Sequence, residues 1–175
     1  AVNVGLELLN PGRKMADTLG GDLVAVIIGQ DVAKAKEEVK DHGVDRIITC
    51  EGEVYKDYST DVYANAIEKL VEKYNPDTIL IGATNQGRDL GPRVSARLHT
   101  GLTADCTELD VDAETGNVQW TRPAFGGNLM AQILCPDSRP QMGTVRPGVF
   151  PKEAFGRKDN ICLLYTSPSP RDATL

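Results

Sequence analysis

The hydrophobic pattern of the first hundred residues alternates between short continuous apolar runs and helical spacing. Continuous runs at Leu23–Ile28, Ile47–Thr49 and Thr78–Ile81 are typical of strands that are covered on both faces of a sheet. The segments between these runs place apolar residues three or four positions apart, as helices with one buried face do. Strands that alternate with helices predict an α/β fold with a doubly wound, mostly parallel sheet.

Two of the predicted helices contain residues that should fix their ends. Val2–Leu19 has helical spacing, but the Asn-Pro-Gly sequence at positions 10–12 predicts a kink, or a restart with Asn10 as the N-terminal cap. After the third strand, a glycine-containing loop leads into another helix. Asp89 is the predicted cap of that helix, and Pro92 would then fall in its first turn, where the missing N–H does no harm.

The pattern changes after His99. Turn-forming residues at positions 114–117 and at Gly126-Gly127 separate segments with the composition of strands. These segments are Ala104–Val111, Val118–Ala124, Asn128–Leu134 and Gln141–Val145. We therefore expect an antiparallel β extension on the parallel sheet.

Composition and charge narrow the classes of function. The 175 residues are 41% hydrophobic and 25% charged, which is typical of one soluble globular domain. No apolar run approaches the roughly 20 residues of a membrane span, so we expect no membrane insertion and a cytoplasmic location. A net charge of −6 opposes nucleic-acid binding. The four cysteines contain no Cys-x-x-Cys pair and only two histidines are present, so no metal site is predicted.

The loop Gly82–Arg88 is the first candidate binding site. A strand, a glycine-containing loop and a helix N-terminus together expose backbone N–H groups to a nucleotide phosphate. Asn85, Gly87 and Arg88 are the candidate cofactor-binding residues, with Arg88 as the counter-charge. A plain turn, in which the glycines serve backbone geometry, explains the same residues equally well.

Arg122 is the second candidate. It shares the apolar face of its predicted strand with Val118, Trp120 and Ala124, because strand residues two apart point the same way. An unpaired guanidinium on such a face is costly. Arg122 therefore either finds a structural partner or water at the strand end, or points at something held between subunits.

Two further arginines are candidates for a partner interface. Arg139 and Arg146 each precede a proline, which restrains them to the extended geometry of a rim residue. Partner contact and simple solvent exposure both remain open for them. For the neighbouring Asp105, Cys106 and Thr107, burial in a strand is a better explanation than catalysis, because no histidine stands at a definable spacing. We predict no catalytic residue.

Several sequence blocks resemble the electron transfer flavoprotein alpha subunit. They are Gly-Ala-Thr-Asn at 82–85, Gly-Arg-Asp-Leu-Gly-Pro-Arg at 87–93, Thr-Gly-Leu-Thr-Ala-Asp-Cys-Thr at 100–107, Trp-Thr-Arg-Pro-Ala at 120–124 and Arg-Pro-Gln-Met at 139–142. The resemblance runs from about Val2 to about Ala154. It implies a domain similar to the adenine nucleotide alpha hydrolases in fold.

The resemblance also implies a function. The intact protein would be an electron carrier rather than a hydrolytic or transfer enzyme, in a heterodimer with a beta subunit. It would contain FAD and pass electrons between acyl-CoA or other flavoprotein dehydrogenases and a quinone reductase or low-potential acceptor. The beta subunit would hold AMP or, in bifurcating members of the family, a second FAD. Arg122 would lie near a flavin at the subunit interface, and the loop Gly82–Arg88 would serve docking.

The resemblance sets the expected domain boundaries. Residues 1–155 would be the N-terminal α/β domain without its first strand, residues 156–161 would begin a linker, and the C-terminal FAD domain would be absent. Residues 162–175 resemble the in-frame translation of a sequencing adapter, and we expect them to be disordered. A genuine Ser/Pro-rich linker is the alternative for this tail.

Two alternatives to the electron carrier stay open. In the first, the chain is a stand-alone adenine-nucleotide-binding module of the universal-stress type, which binds ATP at the loop Gly82–Arg88. In the second, it is a structural assembly domain that binds a partner without any nucleotide or flavin.

Overall fold

The computed structural model describes residues 3–166 and shows four α-helices and nine strands in that range. In chain order these are α1 (Asn3–Leu19), β1 (Val24–Gly29), α2 (Ala33–Val39), β2 (Arg46–Glu51), α3 (Thr60–Tyr74), β3 (Thr78–Gly82), α4 (Asn85–Arg97), β4 (Leu102–Cys106), β5 (Glu108–Val111), β6 (Val118–Ala124), β7 (Leu129–Ile133), β8 (Gln141–Val145) and β9 (Cys162–Thr166). None of the described helices is both long and apolar enough to cross a membrane.

Two three-stranded parallel sheets form the core, in the orders β1-β2-β9 and β3-β8-β4. Helices cover both faces of the second sheet. Met142 packs with Val94 of α4, whereas its neighbour Gly143 faces Trp120, which clusters with Met15 of α1. Adjacent strand residues point to opposite faces. The predicted α/β fold, doubly wound with a mostly parallel sheet and an antiparallel extension, is confirmed.

The antiparallel extension is smaller than predicted. Its three strands are β5, β6 and β7, in that order. β8 instead lies between β3 and β4 in the parallel sheet, because all five of its residues are buried on both faces. The predicted single strand Ala104–Val111 is also divided into β4 and β5. Asp105 near the division has a positive φ of 60°, which turns the chain.

The predicted restart of the first helix at position 10 is wrong. α1 continues through Pro11, and Asn10 does not cap it. The Asn10 side chain is almost fully buried, and its amide nitrogen donates to the carbonyl of Pro151 at 3.0 Å. The polar side chain thus holds a later segment of the chain against the helix.

The predicted cap of the fourth helix is also wrong. α4 begins at Asn85, and Thr84 is its cap, since its hydroxyl accepts the Gly87 N–H at 3.1 Å. Asp89 lies inside the helix and accepts hydrogen bonds from Tyr58 and Thr60. Because the Thr84 hydroxyl caps the helix, the Asp89 carboxylate is free to join α4 to the start of α3.

Part of the expected tail is ordered. Cys162–Thr166 forms β9 beside β2, where Leu164 packs against the cluster that contains Ile48 and Cys50. Disorder was predicted from Cys162 onward, and the structure differs over these five residues because their apolar side chains find a partly covered sheet edge. Residues 167–175 lie outside the described part of the chain.

One face of β1 is less covered than its apolar sequence predicts. Val24 and Val26 remain 38% and 47% exposed, although Ala25 between them is buried. Among the described residues, β1 pairs only with β2, and β3 pairs only with β8. Helix α1 packs on both strands, through Leu9 near Ala25 and through Val4 over Gly82.

Candidate functional site

The carboxyl ends of β3, β8 and β4 bring several predicted residues to one edge of the sheet. Arg88 lies in the first turn of α4 after β3, Arg146 directly follows β8, and Asp105 is the penultimate residue of β4. Arg122 on β6 is close enough to lower the pKa of Asp105 through its charge. In open α/β sheets, ligands bind outside the carboxyl ends of the strands. This arginine edge, defined by Arg88, Arg122, Arg146 and Asp105, is the candidate functional site.

Asp105 is at the centre of the arginine edge. Its Oδ2 accepts hydrogen bonds from Arg146, at 2.6 Å from Nη2 and 3.3 Å from Nε, and its Oδ1 lies 3.5 Å from Nη2 of Arg88. The hydrogen bond from Arg146 is the main reason why the pKa of Asp105 lies below its usual value. The same pair raises the pKa of Arg146. Both groups are therefore charged at neutral pH.

Arg122 differs from the other two arginines. It is half-buried, and within residues 3–166 its guanidinium makes no hydrogen bond and no ion pair, although its backbone lies opposite Ala131 in the β6–β7 ladder. A structural partner for the guanidinium is therefore not found in the described residues. The guanidinium of Arg122 is available to water or to a group outside this chain.

Internal packing accounts for the glycine of the predicted nucleotide loop. A Cβ on Gly87 would lie 1.8 Å from the carbonyl oxygen of Gly82, so only glycine allows α4 to approach β3 this closely. The Gly87 N–H already donates to Thr84, and Nε of Arg88 donates to the Ala83 carbonyl at 3.1 Å. Asn85 is the first residue of α4. Donors that a phosphate would need are thus partly occupied.

Arg139 does not belong to the arginine edge. It precedes β8, whereas Arg146 follows β8, so the two predicted interface residues lie at opposite ends of one strand. Arg139 donates to Asp77 at 2.9 Å, to Asn117 at 3.1 Å and to the carbonyls of the loop before β8. These bonds hold the loop against β3 and the turn before β6.

An exposed apolar surface lies on the β6–β7 hairpin, from its tip beyond Arg122 to the end of β7. The hairpin patch consists of Phe125 (81% exposed), Leu129 (58%), Met130 (54%), Ile133 (37%) and Leu134 (50%). Leu129 and Met130 are adjacent in β7, so both faces of the tip are uncovered. Contiguous exposed apolar residues mark protein interaction sites. The sequence showed these residues as a strand, and only the tertiary structure shows that nothing in the described chain covers them.

Among the described residues, the candidate site is an open edge of the sheet and not an enclosed cleft. A cavity of about 350 Å³ is lined by Thr107, Thr121, Gln132, Phe150 and a few neighbours. Small-molecule sites that bury most of a drug-sized ligand start near this volume. A dinucleotide such as FAD needs a longer cleft than this.

Two of the four thiols, Cys50 and Cys106, are buried. Cys106 is fully buried, and burial raises the pKa of its thiol to about 11, so almost no thiolate exists at neutral pH. Burial likewise raises the pKa of Cys50. Within the described residues, no group of three or more His, Cys, Asp or Glu side chains is arranged to hold a metal ion.

Comparisons with known proteins give the arginine edge a context. The family model described as "Electron transfer flavoprotein domain" matches residues 2–161. The electron transfer flavoprotein subunit alpha of Clostridium acetobutylicum is 53% identical over 149 residues, which are 85% of this chain and 44% of that protein. The subunit alpha of Megasphaera elsdenii is 49% identical over 150 residues, which are 86% of this chain and 44% of that protein.

A third relative has a more specific name. The lactate dehydrogenase (NAD(+),ferredoxin) subunit LctC of Acetobacterium woodii is 44% identical over 147 residues, which are 84% of this chain and 35% of that protein. The chain thus spans less than half the length of each of these three relatives.

Proposed function

We propose that this chain, which belongs to the electron transfer flavoprotein domain family, is the N-terminal domain of an alpha subunit that docks a beta subunit and faces its flavin. The observation that carries the proposal is the unpaired guanidinium of Arg122 next to the exposed hairpin patch. A cation that lacks an internal partner and an apolar surface that lacks a cover together fit a partner subunit with a bound flavin.

The intact protein is proposed to carry electrons. In this proposal the heterodimer binds FAD and passes electrons from flavoprotein dehydrogenases, including those of acyl-CoA substrates, to a quinone reductase or a low-potential acceptor. Bound flavin supplies the redox chemistry, and the protein supplies orientation and charge.

The roles of the residues follow from their surroundings. Arg122 places positive charge beside the flavin ring system and stabilises its reduced, anionic form, which raises the reduction potential. The hairpin patch packs against the beta subunit and keeps water from this contact. Arg146 lies at the rim of the same edge, but its charge is balanced by Asp105. Arg139 instead stabilises the loop before β8.

The first experiment is to co-purify the full-length alpha subunit with its cognate beta subunit and to measure the flavin reduction potential of the complex. Arg122→Gln should lower the potential while the complex still forms, and Arg122→Lys should restore much of it because the charge is kept. Arg157→Gln is the matched control, since it removes a cation that contacts Asp41 and Glu37 instead. An unchanged potential in Arg122→Gln would refute the role of Arg122.

We further infer that the beta subunit holds a second FAD in place of AMP. The support is the 44% identical lactate dehydrogenase subunit LctC, whose name contains both NAD(+) and ferredoxin. Acid extraction of the purified heterodimer distinguishes the two cases. Two flavins per heterodimer support the bifurcating type, whereas one flavin and one AMP identify a simple electron carrier.

We also propose that a further parallel strand lies between β1 and β3, contributed by a segment that precedes Ala1. Each of these two strands has one unpaired edge in the described structure, and α1 packs across both. Unpaired strand edges invite aggregation. A chain extended by such a segment should be more stable to urea than the 175-residue chain. Equal stability would contradict the extra strand and leave the role of Arg122 untouched.

A further inference from the structure

We propose that the carboxylate of Asp105 occupies the position that a ligand phosphate takes in nucleotide-binding α/β sheets, so that the chain closes its own anion site. The proposal concerns this domain alone and does not depend on the beta subunit. It commits to one consequence, which is that removing the Asp105 charge opens a site for a polyphosphate.

The place of Asp105 in the sheet is the first support. Phosphates in open α/β sheets bind beyond the carboxyl ends of adjacent parallel strands, near the N-terminus of the following helix. Here β3, β8 and β4 are adjacent and parallel, and α4 begins shortly after β3. Asp105 and Arg146 stand at the ends of β4 and β8, and Arg88 stands in the first turn of α4.

The bonds of Asp105 are those of a bound anion. Each carboxylate oxygen faces a different arginine, with Oδ2 at 2.6 Å from Nη2 of Arg146 and Oδ1 at 3.5 Å from Nη2 of Arg88. Arginine binds carboxylates and phosphates through the same planar fork of N–H donors. Two cations, one from the end of β8 and one from the first turn of α4, therefore converge on one internal acid.

The backbone is shaped to put the carboxylate there. Thr103 pairs with Gly143 and Cys106 pairs with Val145, so β4 uses three steps where β8 uses two. The extra residue forms a bulge, in which Asp105 has a φ of 60° and donates its N–H to the Thr144 hydroxyl at 2.9 Å. Left-handed backbone is unfavourable for residues with a side chain, although aspartate and asparagine tolerate it better than most.

The charge balance explains what the carboxylate does. Three arginines at this edge would attract a polyphosphate, but Asp105 neutralises one positive charge and keeps Arg88 and Arg146 engaged. An incoming anion meets a like charge among its prospective donors. Of the three arginines, only Arg122 has a guanidinium without a hydrogen bond in the described residues, and a single cation that is partly open to water binds free anions weakly.

Pyrophosphate is the probe, and the full-length alpha subunit without its partner is the protein, because the proposed beta subunit would cover the arginine edge. Asp105→Asn keeps the shape and a residue type that tolerates positive φ, but removes the charge. We expect it to bind pyrophosphate at least about tenfold more tightly than the wild type, seen as calorimetric affinity and as a pyrophosphate-dependent rise in melting temperature. Asp110→Asn is the matched control, because it removes an equal charge from a residue that contacts no arginine in the described structure.

Two outcomes would overturn the proposal. One is equal pyrophosphate affinity in Asp105→Asn, Asp110→Asn and the wild type. The other needs no Asp105 variant and therefore covers the case in which Asp105→Asn fails to fold. If the wild type itself binds pyrophosphate tightly and Arg146→Gln abolishes that binding, then Asp105 does not close the site. Neither outcome bears on the flavin potential that tests Arg122.

Discussion

Apolar side chains are buried at one end of β6 and exposed at the other. At the base of the antiparallel sheet, Val118 and Trp120 have no exposed surface, and the Trp120 ring lies so close to Gly143 that a Cβ there would be 2.2 Å from it. At the tip, Phe125 is 81% exposed and Leu129 is 58% exposed. The base holds the extension on the parallel sheet, whereas the tip stabilises nothing inside the described chain. Similar sequence patterns thus serve folding at one end and, in the proposed heterodimer, recognition at the other.

Side-chain hydrogen bonds also distinguish the base of β6 from the tip. Gln141, fully buried at the start of β8, accepts the Val118 N–H at 2.8 Å and donates to the Gly116 carbonyl at 3.0 Å. One side chain therefore ties the beginning of β6 to the parallel sheet. Among the described hydrogen bonds, no side chain ties the tip in the same way. Gln119 and Gln132 make one exposed contact of 3.3 Å, and it lies nearer the base.

The largest expected effect is the loss of the ring that anchors the base. Trp120→Ala leaves a cavity over Gly143 and should lower the free energy of unfolding by about 3–5 kcal/mol. Phe125→Ala deletes an exposed aromatic side chain from the tip and should change it by less than about 0.5 kcal/mol. Urea unfolding of both variants in the intact protein measures the difference. Equal costs would mean that base and tip do not differ as the structure describes.

The second test adds volume beneath the Trp120 ring instead of removing the ring. Gly143→Ala places a methyl group into the buried indole, which has no free space to move into, and should cost about 2–3 kcal/mol. Gly21→Ala is the control, because a Cβ there meets nothing within 4 Å and the backbone is not left-handed. A Gly143→Ala protein as stable as the control would show that Trp120 is loosely packed.

Loss of the Gln141 hydrogen bonds should lower the free energy of unfolding by less than loss of the Trp120 ring. Gln141→Leu keeps the volume but leaves the buried Val118 N–H and the Gly116 carbonyl without partners, for a loss of about 2 kcal/mol. Gln119→Leu alters the exposed glutamine pair and should be close to neutral. Hydrogen exchange adds a local readout, since the Val118 amide should lose protection only in Gln141→Leu.

The division between base and tip marks how far the sequence could predict the structure. Periodicity identified β1, β3, β6 and β8 nearly to their ends, because buried strands have continuous or alternating apolar residues. The same signal could not show that β8 inserts between β3 and β4, since pairing over long sequence separation leaves no local trace.

The candidate site was predictable only in part. Arg122 stood out because a charge on an apolar strand face demands an explanation. Asp105 was read as a buried strand residue, and its contacts with Arg88 and Arg146 arise from a bulge that no sequence spacing reveals. The hairpin patch was missed for the same reason, because burial depends on what the remaining chain covers. Phe125 beside Gly126-Gly127 was the one local sign of an apolar residue in a turn.

The smallest expected effect on stability belongs to the hairpin patch, and it tests recognition most directly. Leu129→Ser combined with Met130→Ser removes exposed apolar surface from both faces of the tip and should change the free energy of unfolding by no more than about 0.5 kcal/mol. If the patch is the docking surface, affinity for the beta subunit should fall more than about tenfold, because buried apolar residues at the centre of an interface provide most of its energy. Val26→Thr, at an exposed apolar position on β1, is the control and should bind normally. Titration of the alpha subunit variants against the beta subunit separates the outcomes: normal affinity would remove the hairpin from the interface, and marked unfolding would show that the tip, like the base, supports the fold.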